Sequence, residues 1–181
     1  GVDVTRFYWS PLPDVSNTTF LLIGRMLWDK GVGEYVDAAR IVKTKFPSIR
    51  FQLLGPVGVE NRRGISGDTI SRWVSEGVVE YLGEAEDVRP YIEASSCVVL
   101  PSYREGISRV LLEAAAMGRP AVATDVPGCR DVVVDGVTGF LCKPRDCVDL
   151  AEKLESYFNL PMSTRNDIGL RARERVVSQF D

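Results

Sequence analysis

Histidine is absent from all 181 residues, so a Ser-His-Asp triad, a Cys-His pair and imidazole metal sites cannot be built within this chain. The four cysteines, Cys97, Cys129, Cys142 and Cys147, contain no CxxC spacing, which argues against a zinc or redox motif. Cys97 sits in an apolar run and is expected simply to pack. A reduced, cytoplasmic setting is the simplest reading of the four thiols. No apolar run approaches the ~20 residues that a membrane-spanning helix needs. A charged-then-apolar leader is missing too, so no signal peptide is expected. Charge of either sign is nearly balanced: 22 Lys and Arg against 25 Asp and Glu leave a net −3. That balance gives no general attraction to nucleic acid, and no nucleic-acid partner is expected. The basic stretch Arg171–Arg175 reads as the wet face of a terminal helix. Finally, no G-x-G-x-x-G follows the first strand, which disfavours a dehydrogenase.

What is present is ordinary for one folded domain: 45% hydrophobic and 26% charged residues, at a length that supports a full core. The chain opens on Gly1 and stops at Phe180-Asp181 with no turn or tail, so it reads as an excerpt from a longer protein. Short apolar runs at 20–23, 49–54, 78–82, 97–100, 121–124 and 139–142 alternate with helical patterns. Most are apolar on both faces, as strands buried in a parallel sheet are. Val32, Tyr35, Val36, Ala39, Val42 and Phe46 recur at helical spacing, and Pro47 ends that helix. Further helices are expected at 66–76 (capped by Ser66 or Asp68), 87–94, 108–117, 129–134, around 150–158, and at 163–178. The alternation predicts an α/β fold with a doubly wound, parallel, six-stranded sheet in the order 3-2-1-4-5-6. Ligands of such sheets sit where the strand order reverses, here beyond the strands at 20–23 and 97–100.

Both loops at that point carry chemistry. The first, Gly24-Arg25-Met26-Leu27-Trp28-Asp29-Lys30-Gly31, holds two cations before a helix N-terminus, whose free N–H groups and partial positive charge suit a diphosphate. A solvated pair of surface cations fits the spacing equally well. The second, Pro101-Ser102-Tyr103-Arg104-Glu105-Gly106-Ile107-Ser108-Arg109, also opens a helix. Gly106 allows close backbone approach, and Ser108 either caps the helix or donates to a phosphate. Glu113 is the one charge within Leu111–Met117. It reads either as the i,i+4 partner of Arg109 or as a carboxylate facing the cleft to accept ribose hydroxyls.

Glu105-Gly106-Ile107-Ser108-Arg109-Val110-Leu111-Leu112-Glu113 resembles the E-x7-E signature of the retaining glycosyltransferases of family 4, which have the two-domain GT-B fold. Gly24-Arg25 with Lys30-Gly31 resembles their diphosphate motif, and Gly1-Val2-Asp3 with Phe7 the segment that enters their C-terminal domain. Tyr81-Leu82-Gly83-Glu84, Asp87–Ile92, Met117-Gly118-Arg119-Pro120 and Thr124–Arg130 are similar to one subgroup. Its members are bacterial enzymes that add an N-acetylhexosamine to a polyprenyl-diphosphate-linked sugar in surface-glycan or protein-glycan assembly.

The resemblance implies that residues 1–18 are an interdomain linker and 19–181 the Rossmann-like, nucleotide-sugar-binding domain. It implies a UDP-sugar donor, with Arg25 and Lys30 neutralising the diphosphate and stabilising the leaving group. Glu105 would contact hydroxyls of the transferred sugar, the backbone of Gly106, Ile107 and Ser108 would bind sugar or phosphate, and Glu113 would hold the ribose. Gly24 lies at the same turn, and Tyr81 and Leu82 would line the base. The subgroup's Thr-Pro after Glu-Gly is replaced by Ile107-Ser108, at the turn that touches the sugar. With no Asp-x-Asp motif, no bound metal is expected. The acceptor would be held by an N-terminal domain, with peripheral association at the inner face of a bacterial membrane, so the chain alone should bind donor without transferring sugar. Two rivals stand beside this reading: a GT-B epimerase or phosphorylase, and a nucleotide-sugar-binding module without activity.

Overall fold

Alternation along the first strand sets the layering. In β1 (Thr19–Ile23), Phe20 and Leu22 enter one hydrophobic cluster while Leu21 and Ile23 enter the other, as the two-residue repeat of a strand requires. A computed structural model describes residues 1–58 and 62–181. β2 (Arg50–Leu54), β3 (Glu80–Tyr81), β4 (Cys97–Leu100), β5 (Ala121–Thr124) and β6 (Gly139–Cys142) complete a parallel, six-stranded sheet. Its order is β3-β2-β1-β4-β5-β6, with β1 paired to both β2 and β4. The strand order therefore reverses between β1 and β4, as expected.

Helices cover both faces. On one, α1 (Val32–Lys45) buries Val32, Tyr35, Val36, Ala39 and Val42 beside α6 (Cys147–Phe158), which contributes Leu150, Leu154 and Tyr157. On the other, α4 (Arg109–Ala116) and α7 (Met162–Gln179) bring Leu111, Leu112, Ala115, Ala172 and Val176 together. The shorter α2 (Gly67–Ser75) starts at Ser66, whose hydroxyl accepts from the Thr69 N–H, so Ser66 rather than Asp68 is the cap. α3 (Arg89–Ala94) precedes β4. Cys97 is fully buried, as expected from its apolar neighbours. Among the described residues, no helix is long and apolar enough to cross a membrane.

Several expectations need correction. The third strand is only two residues long: ahead of it the Val78 N–H turns back to the Trp73 carbonyl at the end of α2, while beyond it the Leu82 N–H still reaches the Leu53 carbonyl. The helix expected at 129–134 is instead α5 (Pro127–Arg130). Pro127 supplies the helical φ that starts it, and Thr138 Oγ1 then accepts from the Val134 N–H to draw the chain into a turn. The basic stretch of α7 is not simply wet. Arg173 donates to the carbonyl oxygens of Ala116 and Phe7, and Arg175 to those of Asp131 and Val132. Ala116 is the last residue of α4, where the helix dipole leaves its carbonyl electronegative, so a guanidinium is a natural group to meet it. Residues 1–18 pack on the domain: Val2 and Phe7 join the second cluster, and the Val2 N–H donates to the Phe180 carbonyl at 2.9 Å.

Arg119 ties these pieces together. It is fully buried and, among the described residues, forms no ion pair. Its guanidinium donates to the carbonyls of Ile92, Glu93, Ser10, Pro11 and Met117 and to the Ser10 hydroxyl, at 2.7–3.1 Å. Burial pushes its pKa down to about 10, and the ring of carbonyl oxygens keeps the charge tolerable. Arg119→Met should leave those oxygens unsatisfied and cost about 3–5 kcal/mol. Arg119→Lys, with fewer donors, should recover only part of this. Urea denaturation midpoints measure both; a loss below ~1 kcal/mol for Arg119→Met would contradict the assignment.

Candidate functional site

The β1–β4 pairing brings the two chemistry-bearing loops side by side. Gly31 lies between the first loop and α1 in the left-handed region, φ 73°. A Cβ there would sit 1.9 Å from the Pro101 carbonyl oxygen, so the loop after β1 rests directly on the loop after β4. Across that seam, Lys30 Nζ meets Glu105 Oε1 at 2.7 Å. Ser102 Oγ donates to the same oxygen at 2.7 Å, and the Ser102 carbonyl in turn accepts from Thr124 Oγ1 on β5. Glu105 is thus fixed by side chains from both loops. Arg25 is exposed and forms no ion pair among the described residues.

Gly128 in α5 holds this loop from below. A Cβ at that position would lie 1.9 Å from the Gly106 oxygen and 2.4 Å from the Glu105 oxygen. Ser102, Thr124 and Gly128 are positioning residues that the sequence reading did not single out. Gly128 lies outside the helix expected at 129–134, so only the observed start of α5 at Pro127 makes it a helical glycine, costly unless something must approach it closely. Gly106 itself is exposed, with open space around it.

Adjoining depressions run along this edge of the sheet, and three of them hold the residues of interest. The central cleft, about 380 Å³, is lined by Gly24, Arg25, Lys30, Glu105, Ile107, Ser108 and Arg109. Ser108 caps α4 by accepting from the Leu111 N–H at 3.2 Å, so the first of its two suggested roles is realised. On one side, sharing Arg109, lies a groove lined by Glu113, Arg6, Phe7, Glu86, Asp87 and Val88. On the other, sharing Arg25 and Lys30, lies a pocket rich in arginine. Tyr81 and Leu82 are not among the residues lining these depressions. The Tyr81 hydroxyl donates to the Gly55 carbonyl at 2.6 Å, and Leu82 packs against the apolar cluster of the α4 face.

Glu113 answers to both of its sequence readings in part. Arg109 is the i,i+4 neighbour, but the nearest N···O distance is 3.9 Å and the arginine side chain is 86% exposed, against 13% for Glu113. Burial raises the Glu113 pKa, and the attraction of Arg109 opposes this without cancelling it. A half-buried carboxylate with so loose a partner retains its hydrogen-bond acceptor capacity toward the groove.

Residues 17–159 match the family model described as glycosyl transferases group 1. The chain is 31% identical over 149 residues to the N,N'-diacetylbacillosaminyl-diphospho-undecaprenol alpha-1,3-N-acetylgalactosaminyltransferase of Campylobacter jejuni, covering 82% of this chain and 38% of that protein. Among solved structures, the C-terminal domain of a glycosyl transferase group 1 family protein (LpcC) from Francisella tularensis superposes with a TM-score of 0.84 at 21% identity, covering 100% of this chain and 99% of that one. Anabaena Alr3699/HepE in complex with UDP gives a TM-score of 0.85 at 25% identity, covering 100% of this chain and 52% of that one. The chain spans less than half the length of the curated relatives it matches.

The Glu113 environment makes a signed prediction. A carboxyl whose folded pKa is raised contributes stability that is complete below its unfolded pKa and lost as pH rises through the folded value. At neutral pH the wild-type chain therefore carries the cost of burying this charge, and Glu113→Gln does not. The variant should melt at a higher temperature at pH 7, with the gap closing as pH falls below about 4.3. Paired melting curves across pH 3.5–7.5 check this; a variant less stable at neutral pH would contradict it.

Proposed function

The chain belongs to the glycosyl transferases group 1 family, and from that premise we propose that it forms the donor-binding half of a retaining glycosyltransferase that uses a UDP-sugar. The six-stranded Rossmann-like domain is one half of a GT-B fold. The observation that carries the proposal is the cleft at the strand reversal. There Arg25, without an ion-pair partner among the described residues, lies beside the Lys30–Glu105 pair, and the α4 N-terminus opens into the same space.

Each group has a task in that cleft. Arg25 and Lys30 neutralise the donor diphosphate and stabilise the negative charge that builds on it as the sugar–oxygen bond breaks. Lys30 is already held by Glu105, so the ammonium is oriented before the donor arrives. The Glu105 oxygen not engaged by Lys30 and Ser102 is left for hydroxyls of the transferred sugar. Glu113, one groove away past Arg109, takes the ribose diol. Backbone N–H groups at the start of α4 add a partial positive charge to the phosphate side. UDP in the HepE complex supports the uridine assignment. The activity for which the Campylobacter relative is named supports an N-acetylhexosamine donor and a polyprenyl-diphosphate-linked acceptor, and such an acceptor would place the reaction at the inner face of the membrane. Residues 1–18 serve as the link to the partner half, and 19–181 as the donor domain. Holding the acceptor's reacting hydroxyl in line is the work of that second half, so this chain alone binds donor without transfer.

Arg25→Ala should weaken UDP binding by about 1–3 kcal/mol in calorimetry, with the ligand-free melting temperature unchanged because the side chain is exposed. Glu113→Gln should weaken UDP far more than 2′-deoxy-UDP, since the lost contact is to a ribose hydroxyl. Unchanged affinity for Arg25→Ala, or equal losses for both nucleotides, would contradict these assignments.

A further inference from the structure

The pocket beyond Arg25 and Lys30 has no task in the donor reading. It encloses about 210 Å³, and its walls carry Arg25, Lys30, Arg63, Arg104 and Arg145 around Tyr103, against a single acid, Asp29. Asp29 is engaged by Arg63 at 2.8 Å, and Lys30 by Glu105. Arg104 and Arg145 form no ion pair among the described residues, so two guanidinium groups converge here without a carboxylate.

The pocket is also built rather than incidental. Tyr103 is pinned at both ends: its N–H donates to the Asp29 carbonyl, and its hydroxyl to Glu34 on α1 at 2.7 Å. Burial, with the Glu34 bond, pushes its pKa up to about 12, so it remains a neutral phenol in the physiological range. The ring face carries the Arg145 guanidinium, 4.4 Å from the centroid. Arg145 is the one non-glycine residue among those described with a positive φ, 56°, a conformation that gathers at ligand sites. Loops after β1, β2, β4 and β6 all contribute, so the pocket opens at the same edge of the sheet as the donor cleft.

We propose that this pocket is a second phosphoryl subsite, which holds the diphosphate of the acceptor while the donor diphosphate occupies the neighbouring cleft. The inference rests on the donor reading above. The uridine end of the donor extends past Arg109 toward Glu113, away from Arg145, so the donor does not fill this pocket. Planar guanidinium forks in a concave site suit a phosphoryl group, and the Tyr103 platform fixes one of them in advance. An acceptor bearing a polyprenyl diphosphate brings one more such group to the same cleft, and its negative charge would otherwise repel the donor.

The test separates this site from the donor site. UDP affinity of the 181-residue chain is measured first in phosphate-free buffer, which tests the donor reading alone. The UDP-saturated chain is then titrated with inorganic diphosphate and with farnesyl diphosphate. Each should bind one further site, and R104Q/R145G should weaken both by roughly tenfold or more, as expected for two lost charge-assisted contacts. Glycine accepts the backbone conformation at 145, both side chains are exposed, and the melting temperature and UDP affinity of the double variant should be unchanged. Failure of UDP to bind overturns the donor reading. If the UDP-saturated chain binds neither diphosphate, or the double variant binds them as tightly as wild type, the subsite is wrong. Equal loss of UDP affinity in the double variant would return the pocket to the donor cleft. Binding of inorganic diphosphate but not of the prenyl ester would make it a site for a free anion and overturn the acceptor assignment.

Discussion

Lys30 and Glu105 stand 75 residues apart in sequence and 2.7 Å apart in space, and the site is organised around that contact. It exists because β1 pairs directly with β4, across the point where a doubly wound sheet reverses its order. The pair is partly exposed, so its direct contribution to stability is small. Its value is positional. It closes a seam already forced by Gly31 against the Pro101 carbonyl and by Gly128 beneath Glu105 and Gly106. Two loops that would otherwise move independently present one cationic, hydrogen-bonding wall, and an anionic ligand meets groups that need little rearrangement.

Much of this was legible in the residues. Parallel strands covered on both faces leave near-continuous apolar runs, which is why five of the six strands fall within a residue of their expected bounds. The third is an edge strand paired on one side only, and pattern overstated its length because Val78 and Val79 are apolar for packing while the Val78 N–H turns back to the Trp73 carbonyl. What escaped notice shares a cause. Arg119, Arg173 and Arg175 bind backbone carbonyls, and a carbonyl has no residue type to signal it. From sequence the three look like surface charge, although Arg119 is fully buried. The site was legible in a similar proportion. Gly24, Arg25, Lys30, Glu105, Ile107 and Ser108 converge on one cleft. Glu113 lies one groove further along, at a distance no spacing rule provides, and Tyr81 points its hydroxyl to the Gly55 carbonyl.

The depressions that meet at Arg109 and at Arg25 and Lys30 differ in charge. The Glu113 groove is mixed in sign, the central cleft carries Arg25, Lys30 and Arg109 against Glu105, and the Tyr103 pocket is dominated by arginine. Such an edge suits an extended ligand whose neutral nucleoside lies at one end and whose phosphates lie toward the other. The chain spans under half of its curated relatives, and the edge of the sheet that carries these groups is where a second domain of a GT-B enzyme would close. In the two-domain enzyme proposed above, a cleft completed from two sides would account for so polar a wall at the surface of this half.

The central claim is that the donor lies along this edge with its diphosphate at the β1–β4 seam. A crystal structure of the chain soaked with UDP-N-acetylglucosamine tests it most directly. The account predicts phosphate oxygens about 2.7–3.2 Å from Arg25 and Lys30, and ribose hydroxyls at the same distance from Glu113. A nucleotide seated away from the seam, or one whose ribose turns from Glu113, would contradict it.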